Sequence, residues 1–168
     1  MKDDILKSYE KASLDYGYNS NSLHKLGLDA RKLEDAASKQ ILNCLGLSEY
    51  EVIYTSGNAE SYTMISKIGN VVSNSKELLE ICKNTNNKQK TTHLNLDLNK
   101  AYDDLNKYDY ITIEDDIPFF GILIKRKNIN IENLIHGGKS TTKYRSGTTA
   151  TPLIVSFAKL VRLKYKKK

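Results

Sequence analysis

Apolar positions in this chain follow two periods, and each marks a set of elements. The clearest helical stretch takes Leu23, Leu26, Ala30, Leu33, Ala37, Ile41 and Cys44 or Leu45 at spacings of three and four. Ser22 stands where a cap belongs and Gly46 where the helix should end. Residues 3–14 repeat the pattern more weakly, with Ile5, Tyr9, Ala12 and Leu14 as core contacts. Residues 76–83 read as a short helix, and so do residues 101–105. The last helix opens with Thr151 as cap and Pro152 in its first turn, and places Ile154, Phe157, Ala158 and Val161 on one face. Between these lie β-rich runs at 51–55, 91–96, 108–113 and 119–125, with Val71-Val72 as a shorter fifth. Polar loops span 17–22, 84–90 and 136–142. This order of elements predicts one α/β domain over residues 1–168.

The charge changes the picture little. The chain has 26 basic and 20 acidic residues and a net charge of +6. Of the 26, 22 are lysine, and Asn and Tyr are also frequent. That bias follows AT-rich codons and needs no anionic partner. Arg-rich patches and a stacking motif are missing from the sequence, which argues against nucleic acid. The one basic run, 162–168, reads as a solvated helix end, where cations suit the dipole; nonspecific anion binding is the lesser reading. Cys44 and Cys82 both fall in apolar helical patterns, outside any CxxC pair or metal-ligand spacing. They are expected to be buried thiols in a reducing, cytoplasmic compartment. The first residues carry no signal-peptide core, and the apolar runs are far shorter than the ~20 residues of a membrane span.

Candidate chemistry gathers where strand 51–55 runs through Ser56-Gly57 into a helix start. Free N–H groups collect at such a turn and attract anions, but strand-to-helix turns with glycine are common in any α/β protein. Two further segments give it a context. Residues 19–31, N-S-N-S-L-H-K-L-G-L-D-A-R, are similar to N-P-S-S-x-H-x-x-G-x-x-A-R. Residues 52–61, V-I-Y-T-S-G-N-A-E-S, are similar to I-x-F-T-S-G-x-T-E-S. Gly137-Gly138, Arg145-Ser146-Gly147-Thr148 and residues 151–159 are similar to G-G-x, R-S-G-T and x-P-x-I-V-G-F-A-K. All three patterns, in this order, occur in the cysteine desulfurases, a class V aminotransferase family of fold type I that uses pyridoxal phosphate (PLP). The chain resembles a shortened member of that family.

The resemblance implies a remnant of the large α/β domain: a mixed sheet of four or five strands, ordered 51–55, 119–125, 108–113, 91–96, with 119–125 antiparallel. Trimmed segments would leave a new edge at 91–96 that needs covering. Residues 128–168 would match the start of the family's small domain. The family's Schiff-base lysine sits in S-x-H-K; the matching stretch here, 110–121, has neither lysine nor histidine and carries Glu114, Asp115 and Asp116. The aspartate that holds the pyridine nitrogen is replaced by Asn95 in His93-Leu94-Asn95, with Asp97 as a weak substitute. The stacking histidine falls near Ser75, and a phosphate-binding threonine falls on Ala59. Neither Cys44 nor Cys82 matches the persulfide-forming cysteine, whose loop follows R-S-G-T in the family.

What remains are vestigial cofactor contacts at Gly57, Asn58, Ala59 and Asn95, and Arg145 in the place of the arginine that binds the substrate carboxylate. No catalytic residue and no metal ligand is expected, and no bound cofactor. The leading reading is a catalytically inactive cysteine desulfurase-like remnant. The alternatives are a subunit that completes its site with a companion desulfurase chain, a binding module that keeps the family's homodimer or sulfur-partner surface, and a nucleic-acid binder acting through the basic tail. The acidic triplet 114–116 is expected to fill the turn at Gly57 or to pair with Arg145.

Overall fold

The computed structural model describes residues 2–68, 70–82, 90–114, 117, 119–137 and 144–165. The elements are α1 (Lys2–Tyr16), α2 (Lys25–Leu45), β1 (Tyr50–Thr55), α3 (Asn58–Ser66), β2 (Asn70–Ser73), α4 (Lys76–Cys82), β3 (Lys90–Asp97), β4 (Tyr110–Glu114), β5 (Gly121–Arg126) and α5 (Thr151–Lys164). By their contacts they form two compact units: Glu49–Leu134, and Met1–Ser48 together with Ile135–Lys168.

The first of these units is a five-stranded mixed sheet in the order β1-β5-β4-β3-β2. β5 is antiparallel to both β1 and β4, while β2, β3 and β4 are parallel. The sequence-based order and orientation agree with this arrangement. β4 and β5 are buried along nearly their whole length, which is why their sequences run apolar instead of alternating. Lys125 breaks the run and is itself fully buried. Its ammonium donates to Glu51 at 2.5 Å, to the Ile129 carbonyl at 2.6 Å and to the Arg126 carbonyl at 3.0 Å. Glu51 is its direct cross-strand neighbour, so burial and pairing arise from one register. Tyr50, at the start of β1, donates to the Tyr108 carbonyl at 2.6 Å and ties the β3–β4 connection to the far side of the sheet. Burial pushes its phenol pKa up, against the lowering effect of Arg126.

The edge expected at 91–96 is covered by β2 over its first half, from Asn70↔Lys90 to Ser73↔His93. Beyond Ser73 a side chain takes over the ladder. The Asn74 carboxamide accepts from Asn95 N at 2.7 Å and donates to Asn95 O at 2.9 Å. The helix expected at 101–105 does not form. Asp97 and Asp104 turn their carboxylates onto the N–H groups of Asn99 and Asn106. Such local side-chain bonds compete with helical ones.

The second unit packs α1, α2 and α5, with Ala12, Ala30, Ala37, Ile41, Ile154, Phe157 and Val161 inside. α2 and α5 run parallel: Glu34 meets Thr149 and Thr151 at the start of α5, and Gln40 meets the Ala158 carbonyl further along. Glu34 is 8% exposed, and its carboxylate accepts from both threonine hydroxyls, at 2.6 and 2.5 Å. An acid beside a helix N-terminus is favourable.

Several sequence expectations are corrected in this unit. α2 is capped by His24, whose Nδ1 accepts from Gly27 N, because the Ser22 N–H is held in a turn by Asn19 O. Gly27 is required there: a Cβ would lie 2.5 Å from Ser22 O and 2.8 Å from Asn19 O. Ala150, not Thr151, is the cap residue of α5, since the Thr151 hydroxyl is spent on Glu34. Tyr9, Leu14, Leu23 and Leu26 are exposed, and Ala12 alone of α1 is buried. Cys44 and Cys82 form no disulfide, and both are only half-buried; partial burial still raises the Cys82 pKa.

Candidate functional site

In the sheet unit, β1, β2, β3 and β4 all end on the same edge, and β5 begins there. In open α/β sheets this carboxyl edge is where sites form. The turn from β1 to α3 occupies part of it. Gly57 is extended and offers no side-chain cap. A Cβ at Gly57 would meet nothing within 4 Å, whereas one at Gly121 would lie 2.5 Å from Thr55 Oγ1 and 2.6 Å from the Gly57 carbonyl carbon. The tight fit therefore rests on Gly121. Thr55 donates to the Gly57 carbonyl at 3.1 Å and shares a 2.9 Å hydrogen bond with Ser61, which fixes the turn from inside.

The acceptor in this turn is Glu60. Its carboxylate accepts from the Ser56 N–H and from the Ser56 hydroxyl, both at 2.7 Å. Glu60 is the third residue of α3, so it acts as the acid of a capping box displaced by one residue. Asn58 and Ala59 form the first two helical positions, half-buried and exposed respectively. The sequence carried a signal for the Glu60 contact, an acid three residues after the cap residue. The acid expected there was instead the 114–116 triplet. Asp115 and Asp116 lie outside the described residues; Glu114 ends β4 and is exposed.

Asn95 lies on β3, where its Oδ1 accepts from the Thr112 hydroxyl at 3.0 Å. Thr112 in turn meets His93 Nε2 at 3.0 Å, and His93 Nδ1 lies 2.7 Å from Ser73 Oγ. With Thr112 donating to Asn95, its oxygen accepts from Nε2–H, which leaves the Nδ1 lone pair for the Ser73 hydroxyl. His93 is 1% exposed and packs edge-on to Tyr62. Burial pushes its pKa down to about 4, so the ring is neutral. Sequence reasoning used His93 only to align a motif; alternation sets it on the face of Thr91 and Asn95, opposite Leu94 and Leu96, so the sequence pattern did not mark it as a core residue. Ser75 accepts from Leu78 N at the start of α4. Asp97 holds the turn after β3 and is paired with Lys100.

Arg145 belongs to the helical unit. It is half-buried, and its Nη1 donates to Ser146 O at 3.4 Å. Gly147 has φ 126°, and a Cβ there would lie 3.0 Å from Nη1. The φ of Gly147 is what calls for glycine in this turn, and it lies beside the guanidinium. Among the described residues no cluster of His, Cys, Asp or Glu could hold a metal ion, and no helix is long and apolar enough to cross a membrane.

No protein-family profile matches the chain. A segment of 61 residues is 38% identical to a NifS/IcsS protein homolog of Lactobacillus delbrueckii subsp. bulgaricus, over 36% of this chain and 16% of that protein. Among solved structures, a NifS-like protein superposes with a TM-score of 0.78 at 20% identity, covering 96% of this chain and 66% of that one. A cysteine desulfurase from Thermococcus onnurineus gives 0.70 at 13% identity, over 95% and 63%. The chain thus spans about two thirds of the length of these structures. Its fold is that of the NifS-like cysteine desulfurases, as the three sequence motifs implied.

Proposed function

We propose that the chain is a cysteine desulfurase-like protein that carries out no PLP chemistry on its own. The observation that carries this reading is Asn95, which stands where the family's aspartate holds the pyridine nitrogen: its side chain is neutral, and its Oδ1 is already engaged by Thr112. Ala59 likewise stands where the family has a phosphate-binding threonine. Residues 110–121 offer no lysine amine for a Schiff base. The residues present do not fit PLP, and no step is assigned through it. On this reading residues 128–168 stand for the start of the family's small domain, and the protein works in the reducing cytoplasm.

The test is an absorbance titration of the purified chain with PLP, followed by a sulfide-release assay with cysteine. The expected result is no new visible band and no sulfide. A saturable band, with sulfide release that Arg145→Ala abolishes, would overturn the reading.

One observation favours a second reading, in which the chain is a subunit or binding module. Arg145 stands where the family's carboxylate-binding arginine would be, half-buried beside Gly147, and a planar fork suits a carboxylate. A companion desulfurase chain, or a second copy, would then supply the rest. Sulfide release that requires both chains and is lost in Arg145→Ala would support it; unchanged release by the companion alone would not.

A further inference from the structure

The helical unit carries a groove of about 290 Å³ along α2 and α5, independent of the desulfurase reading. Because the two helices run parallel, the groove has a direction. At its upstream end lie Leu33, Ala37 and Val155. One to two turns on lie Gln40, Lys159 and Arg162. The floor is therefore apolar at one end, and the other end is cationic with an amide donor. Gln40 is fixed by its bond to the Ala158 carbonyl at 3.1 Å. Lys159 is half-buried and Arg162 exposed, and neither has an ion-pair partner among the described residues.

Two unpaired cations of one helix, at i and i+3, project over the same end of an apolar trough. A guanidinium and an ammonium together match a carboxylate. The residues span seven positions on each helix, about 10 Å of axis, which suits a short alkyl chain. The volume stands at the bottom of the range for small-molecule pockets, roughly 300–1,000 Å³. We propose that this groove binds a medium-chain monocarboxylate, with its carboxylate on Lys159 and Arg162 and its alkyl chain along Leu33, Ala37 and Val155.

Calorimetry with octanoate, octan-1-ol and acetate tests this, with methyl NMR of Ala37, Val155 and Ala158 to place the ligand. Octanoate is expected to bind at least tenfold tighter than either control and to shift those methyl signals. In a Lys159→Gln/Arg162→Gln variant, shown to be folded by circular dichroism, octanoate should weaken at least tenfold while octanol is unchanged. If the double variant unfolds, the single Arg162→Gln change at the exposed position serves, with at least a threefold loss expected. No octanoate binding in the millimolar range, equal binding of octanol, or unchanged octanoate binding in the variant would overturn the proposal. An acidic amphipathic peptide that binds tighter than octanoate at the same methyls would also overturn it, in favour of a protein partner.

Discussion

The Glu60 carboxylate lies 2.7 Å from both the backbone nitrogen and the hydroxyl oxygen of Ser56. This places an internal anion at the start of α3, where a phosphate would otherwise find donors. Glu60→Ala is expected to free both donors and remove the charge. Calorimetry should then show inorganic phosphate binding at least tenfold tighter than in the unaltered protein. The same change should cost about 0.5–2 kcal/mol of stability, the usual range for a lost helix cap. Unchanged phosphate affinity would show that Glu60 does not govern the turn.

His93 makes stability depend on pH, with a definite sign. Its folded pKa is about 4, below the ordinary histidine value of 6.5. The unfolded chain therefore takes up a proton near pH 6.5 that the folded chain resists until about pH 4. Stability from this group is complete above pH 6.5 and is lost as the pH falls through that window. The full loss is on the order of 3 kcal/mol. Urea unfolding at a series of pH values between 7.5 and 4 should show the decline, and it should be flatter in His93→Asn. Equal slopes in both proteins would contradict the assignment.

Lys125 and Glu51 should respond unequally to replacement. Lys125 is fully buried, while the Glu51 side chain is 36% exposed. Glu51→Leu takes the carboxylate away from a buried ammonium, and the expected cost is about 3–5 kcal/mol. Lys125→Met fills similar space with an apolar chain and leaves a carboxylate that can meet water, so it should cost clearly less. Midpoints of urea denaturation will rank the two, and the reverse order would refute the argument.

The two glycines at the β1–α3 turn differ in what they tolerate. Gly121→Ala drives a methyl against Thr55 Oγ1 and the Gly57 backbone, and overpacking of this kind costs about 1–3 kcal/mol. Gly57→Ala meets open space on an extended backbone and should cost at most about 1 kcal/mol. Thermal melting of both variants checks the contrast.

The sheet order was legible because three motifs tied the chain to a known topology, and the apolar runs of β4 and β5 marked central strands. Details set by distant partners were not. Thr151 reads as a helix cap until Glu34, 117 positions away, takes its hydroxyl. Ser22 likewise gives way to His24 because Asn19 has already folded the loop. Helical spacing named Leu14 and Leu23 as core, yet they are 82% and 90% exposed; a periodic pattern fixes a stripe but not which residues at its ends find cover. At the turn, local sequence contained the Glu60 contact, while attention to the acidic triplet pointed elsewhere.

The unit of Glu49–Leu134 is continuous in the chain, while its companion is assembled from residues before and after it. Synthesis from the N-terminus therefore delivers the whole five-stranded sheet before α5 exists. The sheet can close on the ribosome as soon as residue 134 clears the exit tunnel. α1 and α2 must wait, with Ala30, Ala37 and Ile41 uncovered, until the segment carrying Phe157 and Val161 emerges. Pauses in translation after residue 134 would prolong that exposure, and chaperone demand should track them.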